Sequence, residues 1–339
     1  MPFSRRSERR HNVISGRSSG VTARRRSAPV VQAQQPQAMT FPGHCRIHGS
    51  TKDFESVRRI STGGTATCDL VRRKADGVLL VRKIHSRFTM MENTKPLEVR
   101  ILHDILPPHN RIIDLIAYSH HTRDPSLTLY FEYCKGPDLS HIIRKRKILP
   151  ESFIWHVFVQ IAEALALLHY GHDRKHPDQD PQGWQTVVHR DVKPGNIFLR
   201  SSLTYNQVKG LLYPSIVLAD FGLATLQRET KSPLTFVDYL APESAQYTHR
   251  SDVWGLGAII HALAHFRPPF QPLPSTWAET RRNREIWAQR SESRQARDMP
   301  TRYSSRLNRN MMDCLQKDPR KRVSSKELLR HLLRDRPQI

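Results

Sequence analysis

Acidic residues are scarce: 31 Asp and Glu face 54 Lys and Arg, leaving a net charge of +23. A surface of that sign repels cationic partners and attracts acidic ones, whether nucleic acid, anionic lipid or acidic protein tails. Cysteine is sparser still. Four residues, Cys45, Cys68, Cys134 and Cys314, are widely scattered and read as the reduced thiols of an intracellular protein, cytoplasmic or nuclear. His44-Cys45 and His48 offer two or three metal ligands with no second cluster to complete a site. No run of about 18 apolar residues exists, so no membrane span is expected. Met1-Pro2-Phe3-Ser4-Arg5-Arg6 also lacks the apolar stretch of a secretory signal. Hydrophobic content, 38%, suffices for a packed core but is low, so part of the chain is expected to be unfolded.

What is present suggests two folded units, as a length of 339 residues predicts. Residues 1–53 carry eight arginines in their first 26 positions and no apolar period, and read as a disordered basic arm. Its charge, with that of Arg144-Lys145-Arg146-Lys147, makes acidic partners an expectation, although nucleic acid is not expected as the main ligand. Order is expected near Phe54. Val57–Ile60 and Cys68–Val71 read as strands about a glycine-containing turn, and Val78–Val81 as a third strand ending in Lys83. Pro96 suits a first helical turn, predicting a helix over 96–105 with Glu98, Ile101, Leu102 and Ile105 on one face. Leu127–Tyr133 is another strand, and Gly136-Pro137 marks a connector. Helical periods then dominate, over 153–169, 251–264, 307–316 and 325–333. The expectation is an α+β chain with a β-rich unit at 54–136, a mainly helical unit at 137–334 and a short tail at 335–339. Residues 171–185 and 200–215 read as exposed insertions.

The chemistry concentrates in two motifs. His189-Arg190-Asp191-Val192-Lys193-Pro194-Gly195-Asn196, followed by Asp220-Phe221-Gly222, resembles the catalytic loop and metal-binding motif of eukaryotic protein kinases. The resemblance implies a bilobal fold, with ATP and Mg²⁺ as cofactors and protein substrates. It makes Asp191 the acceptor of the substrate hydroxyl proton, Lys193 the cation beside the transferring group, and Asn196 and Asp220 the metal ligands. Lys83 then matches the strand lysine that holds phosphates, with Glu98 as its ion-pair partner. Adenine is expected against backbone groups of Glu132 and Cys134, with Ile60, Cys68, Val81 and Leu199 as neighbours and Asp138 on the ribose. Lys193, two residues after Asp191, is the Ser/Thr rather than the Tyr pattern.

Two stretches depart from the family. The phosphate-covering loop, Ser61-Thr62-Gly63-Gly64-Thr65-Ala66, keeps only the middle one of three glycines, which predicts weakened ATP affinity. In Thr235-Phe236-Val237-Asp238-Tyr239-Leu240-Ala241-Pro242-Glu243, either Phe236 replaces a threonine that supports Asp191, or a Gly-Thr-Pro triplet is absent after Val237. Acceptors for an activating phosphate are Thr230, Ser232 and Thr235, with Ser232 and Thr235 favoured, and Arg190 would pair with that phosphate. Glu98–Leu102, Thr235–Val237 and Arg302–Asn308 bring the chain nearest to the NIMA-related kinases, particularly fungal ones. A Ser/Thr kinase is therefore expected. The alternative is a kinase-like scaffold with weakened nucleotide binding.

Overall fold

The structure, a computed structural model, describes residues 51–63, 66–85, 95–121, 124–173, 181–202, 204–206, 210–229, 239–243, 247–270 and 296–337. All belong to one unit spanning Ala38–Ile339. The basic arm before Thr51 and the acceptors Thr230, Ser232 and Thr235 lie outside the described residues, as do Gly64 and Phe236.

Five antiparallel strands make the smaller lobe: β1 (Phe54–Thr62), β2 (Ala66–Arg73), β3 (Leu79–His85), β4 (Leu115–His121) and β5 (Asp124–Glu132), in the order β1-β2-β3-β5-β4. Phe54, Val71, Leu80, Ala117 and Tyr130 form its own small core, with the Phe54 and Tyr130 rings stacked at 3.9 Å. Lys83 sits on the central strand, opposite Cys68 on one side and Leu129 on the other. The helix expected over 96–105 is α1, one α-helical turn at Leu97–Val99 that continues over Arg100–Ile105 as a wider π-helical turn. Leu106 N–H reaches back five residues to Ile101 O at 2.9 Å, and Pro107-Pro108 halts the helix there.

The larger lobe packs α2 (Leu139–Arg144), α3 (Glu151–Tyr170), α4 (His249–His265), α5 (Ser305–Cys314) and α6 (Ser325–Asp335) around one core. Among the described residues, α3 alone is long and apolar enough to cross a membrane, but 89% of that window is buried inside the fold, so it is a core helix. Its end is fixed by Gly171 in the left-handed conformation, φ +67°, packed so tightly on Trp184 that a Cβ would lie 2.6 Å from the indole. Trp184 Nε1 donates to Leu168 O at 3.0 Å, satisfying a terminal carbonyl of the helix. Capping boxes open α4 at Thr248 and α6 at Ser324.

Short strands carry the loops between the lobes. β6 (Val187–Val188) pairs with β11 (Thr225–Leu226), and β7 (Ile197–Leu199) with β10 (Ile216–Leu218). The insertion at 200–215, expected as an exposed loop, instead holds a hairpin, β8 (Thr204–Asn206) with β9 (Gly210–Leu212). Just beyond it, Tyr213 OH lies 2.8 Å from Ser152 Oγ, and Ile216 N–H donates to Gln160 Oε1 at 2.8 Å, so this segment is fastened to α3.

Candidate active site

A cleft of about 440 Å³ runs between the lobes. Ile60, Cys68, Val81 and Lys83 wall it from the sheet, and Phe131, Glu132, Cys134 and Asp138 from the connector. Asn196, Phe198, Ala219 and Asp220 close it from the larger lobe. Leu199 does not reach it: the side chain is fully buried in the core, and Phe198 lines the cleft instead. Successive side chains of a strand face opposite ways, so in β7 the cleft-facing position is two beyond Asn196, not three. Gly63 is likewise absent from the walls.

Lys83 Nζ lies 3.1 Å from Glu98 Oε1 and 2.7 Å from Asp220 Oδ1, which joins the sheet, α1 and the larger lobe at one ammonium. Burial works against that charge, but the two carboxylates hold the lysine pKa above its ordinary range. Burial would likewise raise Asp220, yet the neighbouring Lys83 keeps it below the usual carboxylate value. Asp220 is left-handed, φ +63° and ψ +73°, a conformation Asp tolerates better than most residues. Its Oδ2 has no hydrogen-bond partner among the described residues, and its side chain is 46% exposed to the cleft.

Asp191 is held from one side. Lys193 Nζ donates to Oδ2 at 2.7 Å and Asn196 Nδ2 to the same oxygen at 2.8 Å, leaving Oδ1 toward the opening. Asn196 Nδ2 also donates to Asp191 O at 2.9 Å, so its own amide oxygen points elsewhere. The donor set that remains, one carboxylate and one amide oxygen, consists of hard ligands and fits Mg²⁺.

Behind these side chains lies a buried scaffold. Asp252 of α4, fully buried, accepts from His189 N–H at 2.7 Å and Arg190 N–H at 2.9 Å, pinning the loop at the point where Arg190 turns left-handed, φ +68°. His169 bridges Asp252 Oδ2, at 3.1 Å, to Ser325 Oγ at 2.9 Å. Asp191 N–H donates to His189 Nδ1 at 3.3 Å, so Nε2 carries the proton and donates to Ala219 O at 3.1 Å. One imidazole thus ties the Asp191 loop to the residue before Asp220. Glu243 forks onto Arg322 at 2.5 and 2.9 Å, with Ser251 Oγ at 2.7 Å.

The protein kinase domain model matches residues 54–333. The chain belongs to the protein kinase family. It is 31% identical over 301 residues to the G2-specific protein kinase nim-1 of Neurospora crassa, an alignment covering 81% of this chain and 32% of nim-1. Against the serine/threonine-protein kinase Nek2 of Mus musculus the identity is 33%, covering 76% of this chain and 54% of Nek2. For the G2-specific protein kinase nimA of Emericella nidulans it is 31%, covering 81% and 40%. The chain thus spans between a third and just over half the length of these relatives, and its likeness to them is that of a NIMA-related kinase domain.

Within the kinase domain, three features went unseen in the sequence. Phe198 would have followed from strand alternation after Asn196. His169 carries no local signal, since only the approach of α3, α4 and α6 gives it partners. Arg200 is the third. Its guanidinium grips Glu132 through Nε at 2.8 Å and Nη2 at 2.7 Å, while Nη1 donates to Asn110 O at 3.0 Å. The connector is thereby clamped to the larger lobe. A Cβ on the adjoining Gly136 would fall 2.3 Å from Ser201 O, so only glycine permits the same approach. Burial, with Glu132 beside it, pushes the Cys134 thiol up to about 12 and leaves it a poor nucleophile.

Proposed function

We propose that this kinase domain transfers the γ-phosphoryl group of ATP to serine or threonine hydroxyls of protein substrates. The observation that carries this reading is the chain of contacts at the cleft: Lys83, Asn196 and Asp220 line it, Glu98 is bonded to Lys83 and Asp191 to Asn196, and Asp191 Oδ1 and Asp220 Oδ2 are left for ligands. Bound Mg²⁺ would supply charge neutralisation at the phosphates. Lys83, steadied by Glu98, positions the α- and β-phosphates, and Asp220 with Asn196 holds metal. Asp191 accepts the hydroxyl proton as the new oxygen–phosphorus bond forms and the β–γ bridge breaks, and ADP leaves. Lys193 offsets charge on the group in flight. The connector backbone at Glu132 and Cys134 takes adenine, and Asp138 the ribose. The glycine-poor covering loop and the Phe236 stretch are what a scaffold role would rest on; against it, Lys83, Glu98, Asp191, Lys193, Asn196 and Asp220 are all present.

Two expected results test the nucleotide half. The double variant Ser61→Gly, Ala66→Gly returns backbone freedom to the covering loop and lowers the Kd for ATP about two- to fivefold, or about 0.5–1 kcal/mol. A wild-type Kd in the micromolar range or tighter contradicts the glycine argument. Arg200→Ala releases the connector and raises KM for ATP about tenfold, about 1.5 kcal/mol, while kcat stays within about twofold. Arg200→Lys restores little of that loss, because an ammonium cannot fork onto Glu132. A change in kcat with KM unmoved would show that the clamp does not serve nucleotide binding.

A further inference from the structure

A second cavity, about 330 Å³, opens at Asp191, with Ser140, Arg190, Lys193, Gly195 and Tyr239 among its walls. It shares Gly195 with the nucleotide cleft, so an acceptor hydroxyl that reaches Asp191 enters through it. Asp191 is the one carboxylate among the described residues that line it. A Cβ on Gly195 would lie 3.3 Å from Ser140 Oγ, which places the first turn of α2 against this entrance. At its far end α2 runs into Arg144-Lys145-Arg146-Lys147, four consecutive exposed cations.

Three observations separate this run from ordinary solvated charge. None of the four has an acidic partner among the described residues, whereas the exposed Arg320 and Arg334 and the half-buried Arg73 pair with Asp318, Asp335 and Asp76. The run is held in place: Lys145 N–H and Arg146 N–H bond to Ile142 O and Ile143 O at 3.2 and 3.0 Å. Arg146 stands just past the helix end with φ +49°, a position where glycine is the cheap residue and a side chain costs about 1 kcal/mol. Favourable interaction with the helix C-terminus explains cations in the last turn, but not a long side chain in that conformation.

We propose that this basic turn selects the substrate: acceptor segments of proteins bearing acidic side chains, carboxylate or phosphate, at a set distance from the phosphorylated hydroxyl. Six helical residues span roughly 9 Å, and an extended peptide advances roughly 3.3 Å per residue. The acidic position therefore lies about three to five residues from the acceptor. The inference rests on the transfer reading above and names its substrate class.

The test uses three peptides with one acceptor serine, carrying Glu, Ala or Lys three to five residues away on either side. Phosphorylation is measured by kcat/KM and binding separately by fluorescence anisotropy. Wild type is expected to favour the Glu peptide over the Ala peptide at least tenfold, with the margin shrinking in 0.5 M salt. The variant Arg144→Ser, Lys145→Ser, Arg146→Gly, Lys147→Ser relieves the backbone and is expected to fold; it should cut the margin below threefold while the Ala peptide changes less than twofold. Preference for Lys, no preference, or a margin that survives the variant overturns the proposal. So does salt-sensitive retention on anionic vesicles, lost in the variant, without peptide discrimination. Salt-sensitive binding of the Glu peptide, lost in the variant, with no transfer to any peptide, supports the surface and refutes the transfer reading. Neither binding nor transfer refutes both.

Discussion

Asp220→Asn is expected to lower phosphoryl transfer by about 10³-fold, or about 4 kcal/mol, with the fold intact. The side chain keeps its shape and Asn tolerates the left-handed backbone that Asp220 occupies. Lys83 retains Glu98 at 3.1 Å, so no buried cation is stranded. What disappears is the anionic charge proposed to hold metal against the phosphates, a contribution no neighbour would replace. Circular dichroism and a Tm within about 2 °C of wild type would show that the loss is chemical. Transfer reduced less than tenfold would remove Asp220 from the metal-binding role.

The second large effect is on stability. Glu243→Ala should destabilise the domain by about 3–5 kcal/mol, because it leaves the fully buried Arg322 without a counter-charge. Arg322 also donates from Nε to Gln316 O at 2.9 Å and from Nη1 to Arg250 O at 2.8 Å, and its guanidinium lies 5.1 Å from the Trp254 ring centre. It therefore cannot swing into solvent without giving up those bonds. Glu243→Ala with Arg322→Met removes both charges and should recover part of the loss. Urea denaturation of both variants measures this. A single variant within about 1 kcal/mol of wild type would show that the pair is not a structural tie.

The kinase family and the residues proposed for its site were legible because they fall in contiguous motifs: His189 to Asn196 and Asp220 to Gly222 are local, and their order is that of the kinase fold. The strands about Lys83 and the long helices were legible for the same reason, through periods of two and of 3.6. Residues whose role depends on distant partners were not. Arg200 looks like a surface arginine until β7 and the connector meet, and His169 like one more position in a long apolar helix. Leu199 and Phe198 differ by a single step in register, and both are apolar, so composition could not choose between them. Leu115–His121 carries mixed apolar and polar residues, and becomes a strand because β5 pairs with it. The π-helical stretch of α1 gives no periodic signal over only six residues.

The most direct test is phosphate transfer from ATP and Mg²⁺ to a serine- and threonine-containing peptide library, wild type against Asp191→Asn, with the product residue identified by mass spectrometry. Label on serine or threonine from the wild type, reduced at least about 10³-fold in the variant, is the expected result. Equal incorporation by the two proteins would contradict Asp191 as the proton acceptor, and with it the assignment of this cleft as the place where phosphate is transferred.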